Sequence, residues 1–154
     1  MRHVAMTVSV PGQQPDQVFG TVADYARYPE LTDAVISVQT AETAPGRHRC
    51  TWKVRFRRGI LLWTEEGTVD AERRRLDFTL VDGDLDHLAG HWQVDPAEGG
   101  SLVRFCCEFD IGIPSLAALI EPVASGALQD NVVTICRGLF GRVEPLERTA
   151  PAGP

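Results

Sequence analysis

The sequence predicts a single α+β domain, in which a curved antiparallel sheet of about six to seven strands surrounds a long C-terminal helix. Three observations support this prediction. Several segments alternate apolar and polar residues with a period of two, which is typical of half-buried strands. Two short helical segments follow the first strand, and near the C-terminus the apolar spacing changes to three and four residues. Helices segregated to one face of an antiparallel sheet define the α+β class.

The first elements are a strand and two short helices. The strand is predicted from His3 to Val10, because its valines alternate with small or polar residues, and Pro11-Gly12 ends it. The first helix is expected to begin at about Pro15, since proline suits the first helical turn. The second short helix is expected over Tyr28–Leu31.

Six further strands are expected, because short polar turns separate segments of alternating hydrophobicity. In one of them, Cys50, Trp52, Val54 and Phe56 share a face. Consecutive strands joined by short turns form an antiparallel meander. The predicted bounds are 35–40, 48–57, 61–69, 76–81, 88–94 and 102–111.

A long helix is expected after Pro114. Its apolar residues recur at helical spacing, while Pro122 and Gly126 are expected to kink or break it near its start. We assign residues 1–147 to one domain and expect residues 148–154, which are small and proline-rich, to form a flexible tail. The apolar stripe consists of Leu128, Val132, Ile135, Leu139 and Val143.

Composition excludes several classes of partner. The 154 residues are 44% hydrophobic and carry a net charge of −6, which disfavours nucleic acid or an anionic membrane surface as the main partner. No segment approaches the ~20 apolar residues of a membrane span, and the N-terminus lacks a signal-peptide pattern, so a cytoplasmic location is expected. The four cysteines form no CxxC pair and are expected to be buried thiols. Rossmann and P-loop signatures are absent, and no cofactor is expected.

Several segments resemble the START-like helix-grip (SRPBCC) superfamily, in its polyketide cyclase/dehydrase branch. The opening motif is matched by Pro15–Phe19, Val22–Asp24 and Tyr28–Leu31, and the central hairpin by Arg74–Trp92. Glu108-Phe109-Asp110 resembles the end of the last long strand. The resemblance covers about Val4 to Val143 and implies a pocket between the sheet and the C-terminal helix.

The resemblance implies two main alternatives for function. One is a cofactor-independent polyketide cyclase or cyclase/dehydratase that binds a polycarbonyl intermediate, which an acyl carrier protein would present. The other is a non-catalytic carrier of an isoprenoid quinone or similar ligand, as in coenzyme Q-binding START proteins. An arginine expected in such cyclases falls at or beside Gly67, and a pocket tyrosine falls near Val35, so two polar groups of the family are replaced. A monomer or a homodimer is equally compatible with the sequence.

Glu65 is the first candidate for a catalytic role. The family register places Trp63 and Glu65 toward the pocket, and alternation then turns Thr64 and Glu66 away. A carboxylate in a dry pocket has a raised pKa and serves as a general acid or base. A solvated strand position is the alternative for Glu65, and the sequence does not decide between the two.

His91 and Tyr28 are the other catalytic candidates. His91 is a possible proton shuttle, although a hydrogen-bonded residue at the sheet edge is the favoured interpretation. His87 lies four residues before it, but in a strand that spacing spans ~13 Å, so no metal site is expected. Tyr28, like Tyr25, is expected near the pocket mouth, either donating a hydrogen bond to a carbonyl or simply packing.

Aromatic residues are expected to form the substrate-binding walls, since flat rings suit a polyketide or a quinone. On the long helix Asn131, with Thr134 beside it, is a candidate contact for ligand oxygens. A basic strand face is either a dock for an acidic carrier protein or ribosomal RNA, or a solvated outer surface, and the solvated surface is preferred. The wall residues are Trp52, Phe56, Trp63, Phe78 and Trp92, and the basic residues are Lys53, Arg55, Arg57 and Arg58.

Overall fold

The computed structural model describes residues 1–56, 59–111 and 117–148. Strand β1 (Arg2–Pro11) opens the chain and is followed by helix α1 (Pro15–Val22). A single 3-10 turn (Tyr25–Arg27) leads into the short helix α2 (Tyr28–Leu31). These elements agree with the predicted strand and two short helices.

An antiparallel meander and a long helix complete the chain. Within the described ranges the sheet has eight strands, in the order β2-β3-β4-β5-β6-β7-β1-β8. Sequential strands pair with each other, and β1 returns to pair with β7. The predicted α+β helix-grip fold is therefore confirmed. The elements are β2 (Val35–Ala44), β3 (Arg47–Phe56), β4 (Gly59–Asp70), β5 (Arg75–Gly83), β6 (His87–Ala97), β7 (Gly100–Asp110), α3 (Ala117–Phe140) and β8 (Glu144–Arg148).

The C-terminal region departs from the prediction in two respects. Residues Glu144–Arg148 form an edge strand on β1, where no strand was expected, so Arg148 belongs to the sheet and not to the tail. Residues 149–154 of the predicted tail lie outside the described part of the chain. Pro122 and Gly126 were expected to kink or break the long helix, and the break is wrong, because α3 continues through both.

The core lies between the concave face of the sheet and the helices. Alternate residues of β1 are buried, as are Val18, Phe19 and Val22 of α1. Helix α3 contributes Val132 and Ile135 to the same core. It approaches α2 so closely at Gly138 that a Cβ there would lie 2.8 Å from Leu31 Cδ2. This close approach fixes α3 against the short helices and sets the width of the interior.

The pairing of β3 with β4 positions the site. Trp52 lies opposite Trp63 and Cys50 lies opposite Glu65 in this register. Because residues two apart share a face, all four side chains point to the concave side. A bulge in the pairing of β4 with β5 falls between Thr64 and Glu65. The local bend that a bulge introduces re-aims the side chains beside it.

Candidate functional site

An internal cavity of about 140 Å³ lies between the sheet and α3. Aromatic rings from the sheet form one wall and apolar residues of α3 form the other. Glu65 is the one carboxylate among its described lining residues. The lining includes Tyr25, Tyr28, Trp52, Trp63, Phe78, Trp92, Leu88, Phe105, Leu128, Asn131, Val132 and Ile135.

Two indole rings hold the carboxylate of Glu65. The Trp52 Nε1–H donates to Glu65 Oε1 at 2.8 Å, and the Trp63 Nε1–H donates to Oε2 at 3.2 Å. The Glu65 residue is only 4% exposed. Each carboxylate oxygen thus has one fixed donor, and the remaining lone pairs are available to a molecule in the cavity.

Burial is the main influence on the acidity of Glu65. It raises the pKa to about 7, although the hydrogen bonds from Trp52 and Trp63 pull the pKa in the opposite direction because they stabilise the anion. Near neutral pH both protonation states are therefore populated. A carboxyl group poised in this way accepts and returns a proton efficiently, which is the requirement for general acid–base catalysis.

The predicted orientation of this strand is confirmed. Trp63 and Glu65 line the cavity, whereas Glu66 is exposed and accepts a hydrogen bond from Arg49 at 2.7 Å. Thr64 bonds with Thr51 of β3 on the outer face. The catalytic role of Glu65 and the ligand contact of Trp63 stay predictions.

The two tyrosines of the short helices differ in what their hydroxyl groups can do. Tyr28 is buried and its hydroxyl donates to the Val22 carbonyl at 2.6 Å, so its only proton is already committed. The expected donation from Tyr28 to a substrate carbonyl is therefore not supported by this geometry. Burial raises the pKa of Tyr25 well above its usual value, with the charge of Glu65 adding to the effect and the Trp92 indole opposing it. Tyr25 thus stays protonated beside Glu65 and is the better candidate for a hydroxyl donor.

Aromatic packing connects these groups. The ring of Tyr25 lies 5.0 Å from that of Trp52 and 5.1 Å from that of Tyr28, in edge-on contacts. Trp52 and Trp63 are stacked with their centroids 6.2 Å apart. Rings packed in this way have little rotamer freedom, so the two indole donors are held in place for Glu65.

Asn131 lies on α3 and lines the same cavity as Glu65 and its two indole donors. Its Oδ1 accepts a hydrogen bond from the Thr32 hydroxyl at 2.9 Å, and the same hydroxyl accepts from the Ala34 backbone N–H at 3.3 Å. These hydrogen bonds fix the orientation of the Asn131 amide. Because Oδ1 already accepts from Thr32, the NH₂ group is the part of the side chain that has hydrogen-bond donors to offer a ligand. The predicted contact of Asn131 with ligand oxygens is compatible with this orientation and stays a prediction.

Two further chambers adjoin the cavity. One, of about 130 Å³, shares Trp63, Leu128 and Asn131 with it and is also lined by Phe56. The other, of about 290 Å³, shares Tyr25, Glu65 and Phe78. All five aromatic residues predicted as binding walls therefore line the cavity or a chamber beside it, four in the cavity itself and Phe56 in the first chamber.

His91 is placed away from this interior. It lies on the outer face of β6, in a shallow groove with Asp77 and Cys106, while its neighbour Trp92 points inward. Partial burial lowers the pKa of His91, as does Arg75, and Asp77 opposes both. The expectation that His91 shuttles protons in the pocket is therefore wrong, because alternation along the strand turns its ring to the other side of the sheet.

The remaining charged candidates also lie on the outer surface. His87 pairs with Glu108 at 3.1 Å. Lys53 and Arg55 are exposed beside the exposed apolar side chains of Ile60 and Leu62. Arg57 and Arg58 lie outside the described residues. Thr134 is exposed and donates to the Asp130 carbonyl, away from the cavity. Among the described residues no group of three His, Cys, Asp or Glu side chains could hold a metal ion.

Sequence reasoning missed the partners of the candidate residues. It gave no role to Thr32, which orients Asn131, nor to the pairing of Trp52 with Glu65. Trp63 and Glu65 share a face by their spacing of two, so that contact has a sequence signal. Trp52 reaches Glu65 only because of the β3–β4 register, for which the sequence has no direct signal.

In the part of the chain that the structure describes, no helix is long and apolar enough to cross a membrane. No curated protein sequence matches this chain significantly.

Solved structures share the fold. TTHA0849 from Thermus thermophilus is 24% identical with a TM-score of 0.81, and the match covers 91% of this chain and 95% of that one. The ZhuI aromatase/cyclase from a Streptomyces species is 19% identical with a TM-score of 0.75, covering 91% and 92%. A START superfamily protein from Mycobacterium smegmatis is 14% identical with a TM-score of 0.76, covering 91% and 98%.

The sequence itself carries the family assignment. Residues 12–134 match the profile of the family described as polyketide cyclase / dehydrase and lipid transport. The match runs from the loop before α1 into α3, and so includes every strand whose residues line the cavity. The chain therefore belongs to the polyketide cyclase/dehydrase and lipid transport family.

Proposed function

We propose that this protein is a cofactor-independent cyclase or cyclase/dehydratase that binds a polycarbonyl, polyketide-type intermediate in the internal cavity. The observation that carries the proposal is Glu65: a buried carboxyl group with a pKa of about 7, held by two indole donors in an otherwise largely apolar cavity. A cavity that only stored a lipophilic molecule would gain nothing from an ionisable group at this cost in desolvation.

The chemistry assigned to Glu65 is a proton cycle. The carboxylate takes a proton from a carbon that lies between two carbonyl groups of the ligand. That carbon then attacks another carbonyl carbon of the same chain, and the new alkoxide receives the proton back from Glu65. In a following dehydration, the carboxylate removes a second C–H proton and, as the acid, delivers it to the departing hydroxyl group, which leaves as water. No redox change occurs in either step.

The cavity walls contribute by positioning. A flexible polycarbonyl chain has many conformations, and holding its reacting carbons together is worth up to ~7–11 kcal/mol in the most favourable intramolecular reactions. The stacked Trp52 and Trp63 rings offer a flat surface for a conjugated chain. The protonated hydroxyl of Tyr25 and the amide NH₂ of Asn131 are the donors proposed for ligand carbonyls.

Incubation with a synthase that releases poly-β-ketone chains tests this proposal. The product profile with the protein should contain a cyclised product that is absent, or present only as a minor spontaneous product, without it. An acyl carrier protein as the presenting partner is part of the proposal, and the exposed Lys53 and Arg55 are the residues proposed to contact it. Identical profiles with and without the protein would contradict the proposal.

A second candidate is a non-catalytic carrier of a lipophilic ligand such as an isoprenoid quinone. The specific observation in its favour is the apolar character of the cavity, where aromatic and aliphatic side chains predominate. Native mass spectrometry of the protein purified from its own host separates the two functions. A co-purifying quinone without turnover on any polycarbonyl favours the carrier.

A further inference from the structure

The larger of the two adjoining chambers has no part in the proton cycle described above. It lies beside α1 and the 3-10 turn, and it meets the internal cavity at three shared residues, Tyr25, Glu65 and Phe78. Its volume is about 290 Å³, against about 140 Å³ for the cavity itself. Glu65 therefore stands at the boundary between two compartments of different size.

Gly67 keeps this chamber open. It follows Glu65 by two residues on β4, so it lies on the same concave face, and it lines the chamber. Its backbone is not among the positive-φ glycines, so the conformation does not require glycine. A Cβ built there would meet the Asp77 carbonyl oxygen at 3.4 Å and Leu76 Cδ2 at 3.8 Å, which are ordinary contacts.

A glycine in the middle of a strand lowers stability relative to a residue with a side chain, unless the backbone there requires a conformation that only glycine adopts. The absence of a side chain at Gly67 leaves space in the chamber, because a side chain at this position would project into it. Close approach of a ligand is one of the recognised reasons for glycine at such a position.

The two compartments also differ in chemistry. The internal cavity is walled mainly by rings and aliphatic chains. The chamber beyond Glu65 has His48, Thr40 and Asp24 among its lining residues, and Thr40 and Asp24 are exposed at its rim. The Asp24 carboxylate accepts hydrogen bonds and the Thr40 hydroxyl both donates and accepts them, and neither lysine nor arginine is among the described lining residues.

We propose that the chamber opened by Gly67 is a second binding compartment, which takes the hydroxyl-bearing end of an amphipathic ligand whose apolar body lies against Trp52 and Trp63. The ligand class is an aromatic or conjugated body with a short polyhydroxyl or enol arm. This inference rests on the proposed function in one respect only, namely that the internal cavity holds a ligand.

The arrangement determines which ligand atom meets Glu65. Since Glu65 lines both compartments, it faces the carbon at which the apolar body joins the polar arm. An anionic arm is disfavoured, because Glu65 and Asp24 would both repel it. The chamber thus assigns a direction to the bound ligand, with the polar arm toward α1 and the apolar body toward α3.

Equilibrium binding of three fluorescent probes tests the compartment without any turnover. Naphthalene represents the apolar body alone. 2-Naphthaleneethanol adds a short arm that ends in a hydroxyl group, and 2-propylnaphthalene adds an apolar arm of equal length. Hydrophobicity alone predicts that the propyl probe binds most tightly. We expect the opposite order, with the hydroxyl probe at least about fivefold tighter than the propyl probe, as one hydrogen bond to a charged group allows.

The Gly67→Leu variant fills the chamber. It should weaken the hydroxyl probe by about tenfold or more and leave naphthalene within about twofold of its original affinity. Gly67→Val, which favours a strand, gives a second point if the leucine variant does not fold. Thr68→Val is the matched control, because Thr68 is exposed on the outer face of the same strand and should change neither affinity.

Tightest binding of the propyl probe, or unchanged affinity of the hydroxyl probe in both Gly67 variants, would overturn the inference. Its failure is separate from that of the proposed function. If Glu65→Gln kept full turnover while the Gly67 variants behaved as expected, the proposed proton cycle would be refuted and the second binding compartment would still be supported.

Discussion

The two faces of strand β4 give neighbouring glutamates opposite properties. Glu65 is 4% exposed, receives two indole hydrogen bonds and has a pKa of about 7. Glu66 is exposed and forms an ion pair with Arg49 at 2.7 Å. The side chains are chemically identical, so the difference comes entirely from the face to which each is turned.

The two faces of strand β6 show the same contrast. Trp92 is buried in the wall of the cavity, and His91, one residue earlier, lies in an open groove on the outer face. In this sheet a residue one position away from the site is therefore on the wrong side of the protein for chemistry in the cavity. Substitutions at neighbouring positions provide matched tests of this contrast.

The largest expected effect is on turnover. Replacing Glu65 with Gln keeps the size of the side chain but removes its acid–base function, and the rate should fall by about 10²–10⁴-fold, the usual contribution of a positioned acid or base. Glu66→Gln is the matched control and should retain the original rate. Equal rates in the two variants would contradict the assignment of Glu65.

Trp63→Ala should enlarge the cavity and weaken ligand binding. Its effect on the free energy of unfolding should stay below the ~3–5 kcal/mol typical of a fully buried aromatic residue, because the Trp63 ring is only partly packed by protein. Leu62→Ala, one residue away on the outer face and 49% exposed, should change stability by less than about 0.5 kcal/mol. Chemical denaturation of both variants provides the comparison, and equal losses would show that the two faces do not differ as described.

The pH dependence of stability should also distinguish the faces. Because the pKa of Glu65 is about 7 when folded and 4.5 when exposed, the folded state retains a proton that the unfolded state releases between these values. The free energy of unfolding should therefore fall as pH rises from about 4.5 to just above 7, by at most about 3.5 kcal/mol. Denaturation midpoints across this range should show the decline in the original protein and in Glu66→Gln. The decline should be absent from Glu65→Gln, and its persistence there would mean that another group titrates.

Smaller shifts are expected when either indole donor is removed. Trp52→Phe and Trp63→Phe each leave one oxygen of the Glu65 anion without its partner, so the pKa of Glu65 should rise further in both. The rise should be larger for Trp52, whose bond is 2.8 Å long, than for Trp63 at 3.2 Å. Carbon-13 NMR titration of the Glu65 carboxyl group measures the pKa in both variants. A lower pKa in either variant would contradict the stabilisation of the anion by the two indole hydrogen bonds.

The smallest effect is expected at His91. His91→Ala should leave turnover unchanged, because the ring lies outside the cavity. Substituting the adjacent Trp92 should weaken ligand binding, since its ring is part of the cavity wall. A substantial loss of turnover in His91→Ala alone would restore the histidine as a participant.

Much of the fold was predictable from local patterns. The strand bounds differ from those expected by a few residues, and the alternation of β3 identified the face that carries Cys50 and Trp52 as the buried one. The eighth strand was not predictable, because Glu144–Arg148 contains three charged residues and a proline and lies at the edge of the sheet, where it pairs with β1. The continuity of α3 through Pro122 likewise depends on the surrounding structure, which overrides the local preference.

For the site, the sequence by itself determined which side of each strand a residue occupies, because the period of two is a property of the extended backbone. This periodicity places Trp63 and Glu65 on one face, and the resemblance to the family indicated that this face is turned toward the pocket. Only the tertiary structure decided what those residues contact. The β3–β4 register brings Trp52 to Glu65, and the turn between α1 and α2 brings the Tyr28 hydroxyl to the Val22 carbonyl. Such contacts join residues that lie on different strands or on either side of a turn. The strength of these hydrogen bonds depends on how deeply they are buried, which no local sequence pattern specifies.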